Sequence, residues 1–402
     1  MDLNAVLKEA LFLSNSGNDP KALRLLELLA DDIPDTFEHH KLVGMLYQRL
    51  CEDDKSMEHL RHAMERNPED PMIHQAFGVH YLDNGKPEWA AASFRECLAL
   101  DPRCAKSHHY LGRALDDTGS TGQALEAFER ARILDPGNIE PLLYRGKALL
   151  RAHRFSEAEK TFVEALRTPL GHPTASIGKR RAEWLSANGP PRTKTGYNGQ
   201  AATIVSVKQG DYYGADYVNR LASMIARHAG PETRFVCFTE DTGGIDPGVE
   251  CLPLLSDTLT GWWQKVTIFM PELPGLSGRI LFLDLDIAIV DDLSPLLHYD
   301  SGLAIADEDY TVGFNSSVFL FEAGSFPHVW SSLTKRERSI FPGDQDWIAY
   351  NLPEADLWPD GWCITYRMRA RDGIPSGTKV VYFQGKPKPH VYPSSWVRDH
   401  WR

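Results

Sequence analysis

Residues 87–136, PEWAAASFRECLALDPRCAKSHHYLGRALDDTGSTGQALEAFERARILDP, write the same skeleton twice. Ala90 and Phe94 return as Ala124 and Phe128, and Pro102 returns as Pro136, each after 34 residues. The step continues outward in both directions. Proline stands at Pro34, Pro68, Pro102 and Pro136, and glycine at Gly44, Gly78, Gly112 and Gly146. A small-residue column runs through Ala22, Ser56, Ala90, Ala124 and Ala158, and a bulky apolar one through Leu26, Leu60, Phe94, Phe128 and Phe162. A small residue lets two helices approach closely, the bulky residue four positions later fills the space beside it, and the proline ends the second helix. Each unit therefore reads as a helical hairpin.

Glycine early in helix A, Ala and Phe in helix B and a closing Pro together resemble the tetratricopeptide repeat. The resemblance covers Leu3 to His172 as five units, the first degenerate with Ala10 in the glycine column. Such hairpins bury their apolar faces only by stacking, and the last needs a polar cap. The stretch Ala175 to Ala187 suits that cap, with Lys179, Arg180 and Arg181 on one side and Ile177 and Trp184 on the other. The array either spaces the chain or offers its concave face to an extended peptide, a protein partner or a second copy of the chain.

Bulk properties exclude several classes. With 55 acidic against 43 basic residues the formal charge is -12, and no basic run with interleaved aromatics supplies phosphate contacts, so nucleic acid is not expected as a partner. No segment approaches the ~18 apolar residues of a membrane helix. The opening MDLNAVLKEALFLSNSG carries Asp2 and Glu9 and lacks a cationic start. The six cysteines, Cys51, Cys97, Cys104, Cys237, Cys251 and Cys363, form no Cys-x-x-Cys pair and read as reduced thiols. The expectation is a soluble, cytoplasmic protein.

Composition shifts at residues 188–200, NGPPRTKTGYNGQ, which read as a linker. Beyond it strand and helix alternate. Thr203 to Val207, Phe235 to Phe238 and Ile280 to Leu283 are apolar strands, and Tyr217, Val218, Leu221, Met224 and Ile225 repeat at helical spacing. Alternation of this kind predicts a mostly parallel sheet with helices on both faces and a ligand at the carboxyl ends of the strands. In Arg279 to Val290, RILFLDLDIAIV, an apolar strand runs directly into Asp284-Leu285-Asp286. Period-two alternation puts both carboxylates on one face, where they can hold one hard cation, Mg²⁺ or Mn²⁺, able to bridge a diphosphate. The bland alternative is a strand end with two solvated aspartates.

Other segments follow in a telling order: Trp262-Trp263-Gln264-Lys265 in a helix, Asp284-Leu285-Asp286, Gly313-Phe314-Asn315-Ser316-Ser317 before the strand Val318 to Phe321, and Gly343-Asp344-Gln345-Asp346 opening a helix. Phe383-Gln384-Gly385-Lys386-Pro387-Lys388-Pro389-His390 closes the series. From Thr203 to His390 the chain resembles the retaining nucleotide-sugar glycosyltransferases of family 8, the glycogenin and bacterial galactosyltransferase type, with their GT-A fold. The resemblance implies that Asp284 and Asp286 bind metal and sugar nucleotide, that Asn315 contacts the donor sugar, and that Asp344 and Gln345 face donor and acceptor. It implies that Lys388 meets the diphosphate beside Gly385. The family's third metal ligand, a histidine, is replaced by Tyr382, which leaves Gln384, a water or His390 for that place. The uridine loop corresponds to Lys208 to Tyr213, where Asp211 and Tyr212 could hold the base, and Lys265 is a further donor contact.

Each of these has a structural competitor: Trp262 and Trp263 as core rather than acceptor platform, Lys265 as surface, Asp344 and Gln345 as a helix cap, Asn315 as a turn. The expected architecture is thus an all-α repeat domain (1–187), the linker (188–200) and a GT-A-like α/β nucleotide-sugar domain (201–402). The expected activity is metal-dependent, retaining hexosyl transfer from a nucleotide diphosphosugar to a protein or saccharide hydroxyl, with Asp344, Gln345 and Lys388 as catalytic residues. Two other readings stand beside it. One is a repeat scaffold carrying a degenerate transferase domain. The other is a haloacid-dehalogenase-type phosphatase, whose nucleophilic Asp-x-Asp usually opens its domain, whereas here Ile287-Ala288 follows a motif deep inside.

Overall fold

The computed structural model describes residues 3–16, 18–29, 33–167, 172–190, 202–309, 311–385, 388–391 and 395–402. The chain forms two compact units, Met1–Pro141 and Leu142–Arg402.

The first unit is four helical hairpins: α1 (Leu3–Asn15) with α2 (Asp19–Leu29), α3 (Phe37–Arg49) with α4 (Asp53–Arg66), α5 (Pro71–Asp83) with α6 (Pro87–Leu100), and α7 (Ala105–Asp117) with α8 (Thr121–Leu134). Pro68, Pro102 and Pro136 stand just beyond the ends of α4, α6 and α8, where proline cannot continue a helix. The glycine column has a steric cause. A methyl group on Gly44 would lie 2.9 Å from Leu60, and on Gly78 or Gly112 it would lie 2.6 Å from the Phe94 or Phe128 ring. Ala22, Ala90 and Ala124 are fully buried in the same seams.

The second unit holds α9 (Glu140–Arg151, from Leu142 on), α10 (Phe155–Leu166) and α11 (Pro173–Asn188), together with the α/β region. The fifth repeat and the expected cap therefore belong with the sheet, and the division falls at 141 instead of 188–200. Its cause is packing: Ile177 lies in the core on one face of the sheet, and Arg181 donates to the Pro353 carbonyl and stands 5.1 Å from the Phe314 ring. Arg181 is accordingly buried on the Ile177 side and not on a polar face. Most of the expected linker, from 191 on, lies outside the described residues.

The main sheet has seven strands in the order β3-β2-β1-β4-β7-β6-β8: β1 (Thr203–Lys208), β2 (Phe235–Thr239), β3 (Glu250–Leu252), β4 (Arg279–Leu283), β6 (Leu303–Asp307), β7 (Phe314–Glu322) and β8 (Asp356–Leu357). It is mixed, because β7 runs antiparallel to both β4 and β6. Ile204 and Leu281 pack with Val218, Leu221 and Met224 of α12 (Ala215–Ala229) on one face; Val205 and Phe282 pack with Val266, Phe269 and Trp347 on the other. A three-stranded sheet of β5 (Ile287–Ile289), β10 (Val380–Tyr382) and β9 (Cys363–Thr365) pairs Tyr382 with Ile287. That register lays the segment after Tyr382 beside Asp286.

Candidate functional site

Five chain segments end at one edge of the main sheet. β1 and β4 point their carboxyl ends there, and β7, being antiparallel, starts there: Leu283 pairs with Val318, and the Asp284 amide donates to the Ser317 carbonyl at 2.9 Å. The 3₁₀ helix Gly261–Phe269 and the amino end of the helix Asp344–Asn351 complete the rim. Between them lies a cleft of about 670 Å³. Its walls include Tyr212, Lys265, Asp284, Asp286, Asn315, Asp344, Gln345, Gln384, Gly385 and Lys388.

Two lysines organise the carboxylates. Lys265 Nζ lies 2.9 Å from Asp284 Oδ1 and 3.0 Å from Asp344 Oδ2, and it donates to the Ser316 carbonyl and Oγ at 3.1 Å. Burial alone would depress this ammonium, but the Asp284 and Asp344 carboxylates outweigh it and hold its pKa above the ordinary lysine value. Burial also drives the Asp284 carboxyl upward, against the pull of Lys265. Lys388 Nζ donates to Asp286 Oδ2 at 2.6 Å and to the Phe383 carbonyl at 3.2 Å. The Tyr213 hydroxyl reaches the same Asp286 oxygen at 2.8 Å, and burial followed by the Asp286 charge raises its pKa well above the usual phenol value. Lys265 is thus an interior cation, not a surface residue.

Asp344 occupies the first helical turn, and Gly343 holds the cap position without a side-chain bond. The Asp344 carboxylate accepts from Lys265 and, at 3.1 Å, from Ser316 Oγ, so it faces the cleft and does not cap its own helix. Asn315 lies within β7, where its Oδ1 accepts the Ser317 amide at 3.0 Å. Trp262 is 63 % exposed at the rim and Trp263 half-buried against the core; Tyr212 is 72 % exposed. Asp211 is exposed and is not among the cleft's lining residues. His390 shares a hydrogen bond with the Tyr217 hydroxyl and is likewise not in the lining. Tyr382 is core, its hydroxyl donating to the Asp307 carbonyl at 3.1 Å.

One residue escaped the sequence reading. Glu308 is fully buried, and its Oε2 accepts from Gln345 Nε2 at 2.7 Å, Gln384 Nε2 at 3.2 Å and Asn315 Nδ2 at 3.4 Å. The signal for it was the acidic run Asp307-Glu308-Asp309 straight after an apolar strand, where a carboxylate needs partners. Gln384 keeps its Oε1 buried without a hydrogen-bond partner, a deficit of about 1–3 kcal/mol that a cation or donor at the wall would relieve. Among the described residues no three His, Cys, Asp or Glu side chains gather as a metal site. Asp284, Asp286 and the Gln384 amide carry oxygen donors of the type Mg²⁺ or Mn²⁺ takes, and in this structure each carboxylate is paired with a lysine, Lys265 or Lys388. All six cysteines are free. Among the described residues no helix is long and apolar enough to cross a membrane.

A tetratricopeptide repeat family model matches residues 76–139. With the hairpins and the glycine seams, this identifies the N-terminal region as tetratricopeptide repeats. No curated protein matches the chain. Among solved structures, the type IV pilus biogenesis factor PilW is 18 % identical, with a TM-score of 0.42, over 46 % of this chain and 86 % of its own. PilF of Pseudomonas aeruginosa is 16 % identical (TM-score 0.40; 46 % and 84 % covered), and MamA from Desulfovibrio magneticus RS-1 is 19 % identical (TM-score 0.37; 41 % and 93 %).

Proposed function

We propose that the second unit is a glycosyltransferase that moves a hexosyl group from a nucleotide diphosphosugar to an acceptor hydroxyl, and that the repeats recruit the acceptor or a protein partner. One observation carries the proposal: the strand-end aspartates, Asn315, the Asp344-Gln345 pair, and Gln384, Gly385 and Lys388, scattered over more than a hundred residues, meet in a single cleft large enough for a small ligand. The cleft lies where an open α/β sheet presents its strand ends, the usual place for a nucleotide.

In this reading the C1–O bond to the β-phosphate breaks, its electron pair leaves with the diphosphate, and the acceptor oxygen forms the new C1–O bond. Lys388 and Lys265 stabilise the negative charge that develops on the diphosphate, as fixed donors in a partly desolvated site. Asp284 and Asp286, with Gln384 Oε1, would hold Mg²⁺ or Mn²⁺, which when bound supplies further Lewis-acid stabilisation there. Asn315 and Gln345 face the sugar, and Asp344 stands close enough to Lys265 and Ser316 to orient the donor or receive the acceptor's proton. The exposed planes of Tyr212 and Trp262 offer stacking surfaces for base and acceptor at the two rims.

A second reading has its own support. Asp284 and Asp286 are each already neutralised by a lysine, as in a scaffold domain that never binds a donor. Thermal-shift titration of the full chain against UDP-, GDP- and ADP-sugars, with and without Mn²⁺, separates the two, because a specific ligand stabilises the folded state by mass action. Stabilisation by one sugar nucleotide supports transfer; none at millimolar ligand supports the scaffold.

A further inference from the structure

The fifth repeat reaches the segment behind the cleft wall. Lys147 of α9 is buried, and its Nζ donates to the main-chain carbonyls of Glu308 and Asp309, the latter at 3.1 Å. From the other side the Tyr382 hydroxyl holds the Asp307 carbonyl at 3.1 Å. The segment 307–309, which begins with the last residue of β6 and carries no strand or helix after it, is clamped between a repeat helix and the small sheet. Its Glu308 side chain then gathers the amide groups of Gln345, Gln384 and Asn315.

An ionised carboxylate only accepts, and an amide donates from one end and accepts at the other. Glu308 takes one of the two N–H bonds of each Gln345 and Gln384 amide and so sets which end of each faces it; of the two carbonyl oxygens, Gln384 Oε1 is buried, which leaves that of Gln345 for a group bound in the cleft it lines. Asn315 is fixed at both ends, since its Oδ1 already takes the Ser317 amide. The Gln345 carbonyl oxygen is therefore an acceptor at this part of the cleft, which suits a hydroxyl group and not a phosphate oxygen. Donors suited to phosphate come from Lys265 and Lys388, which line the same cleft.

We propose that Glu308, seated by Lys147 from the fifth repeat, is a positioning residue that fixes the hydrogen-bond polarity of this wall and so makes it a subsite for the hydroxyls of a sugar. The inference rests on the transferase reading and adds to it a division of the cleft, together with a direct part for the last repeat. Replacing Glu308 by glutamine keeps its size but supplies a donor of its own, which frees the neighbouring amides to turn over. Replacing Lys147 by methionine keeps the stem and removes the clamp.

The test is calorimetric titration of the full chain with the sugar nucleotide that the wild type selects from UDP-glucose, UDP-galactose, UDP-N-acetylglucosamine, GDP-mannose and ADP-glucose, and with the matching nucleoside diphosphate. Glu308→Gln should lose at least about tenfold in affinity for the sugar nucleotide and less than about threefold for the nucleoside diphosphate, because only the sugar meets the altered wall. Lys147→Met should shift the same ratio in the same direction. Gln345→Met, at the cleft surface, removes an acceptor directly and should reproduce the selective loss even if the buried variants fold poorly. Equal losses for both ligands, or no change in their ratio across all three variants, overturn the positioning role. A wild type that binds the nucleoside diphosphate and every sugar nucleotide alike also overturns it, whereas a wild type that binds none removes the transferase reading itself.

Discussion

Replacing Phe162 by alanine tests where the fifth repeat belongs. The Phe162 ring is fully buried and lies against Gly146 of α9 and Gly178 of α11, both so close that neither could carry a methyl group. Truncation leaves a cavity bounded by three helices, a change that costs about 3–5 kcal/mol in well-packed cores. The second unit contains about 260 residues. At ~2.1 cal/mol/K per residue its unfolding entropy is near 0.55 kcal/mol/K, so a loss of about 4 kcal/mol lowers its midpoint by about 7 °C. Nine of the ten tryptophans lie in that unit, Trp89 being the exception, so tryptophan fluorescence follows its melting. Phe94→Ala makes the same cut in the first unit, between α5 and α6. Phe162→Ala should move the fluorescence transition and Phe94→Ala the helical circular-dichroism signal of the first unit. A fluorescence midpoint unmoved by Phe162→Ala would refute the assignment of the fifth repeat to the α/β unit.

Other outcomes follow from the same packing. Gly112→Ala drives a methyl group to 2.6 Å from the Phe128 ring and should destabilise the first unit by about 1–3 kcal/mol in urea denaturation. A fragment covering 142–402 should be soluble and show a cooperative melt, while one covering 196–402, stripped of Ile177 and Arg181, should aggregate or melt broadly by light scattering and calorimetry. His109 is pushed down to about 3 by burial, with Arg113 and Lys106 adding to the effect. Because the unfolded chain binds this proton near pH 6.5 and the folded chain does not, stability is intact above that pH and falls progressively as the pH drops towards 3, by about 2 kcal/mol at pH 5. The stability difference between wild type and His109→Asn should therefore change by that amount between pH 7 and pH 5.

Much of this was legible because it is local. The 34-residue columns mark helix seams, and a strand that runs into Asp284-Leu285-Asp286 places charge at a sheet edge whatever surrounds it. What the residues did not disclose depends on pairing across the fold. Nothing in Phe314 to Glu322 states that β7 runs antiparallel between β4 and β6, although that direction brings Asn315 to the same edge as Asp284. Asp344 carries the residue type of a helix cap, yet Lys265 and Ser316 claim its carboxylate and Gly343 takes the cap position. The helix α11 has an ordinary amphipathic pattern, and only the core that receives Ile177 shows that it closes the sheet instead of the repeats. Glu308 was hidden for the same reason: its partners are 7, 37 and 76 residues away.

The most direct test of the proposed activity is release of nucleoside diphosphate from each sugar nucleotide of the panel by the full chain, measured by chromatography with and without Mn²⁺, beside the Asp286→Ala variant and a phosphomonoester control. A transferase should turn over one sugar nucleotide, depend on the cation, leave the phosphomonoester intact and lose at least about a hundredfold in the variant, equivalent to about 2.7 kcal/mol of transition-state stabilisation. Near-normal turnover by Asp286→Ala, hydrolysis of the phosphomonoester alone, or no turnover of any donor by the wild type would contradict the transferase reading.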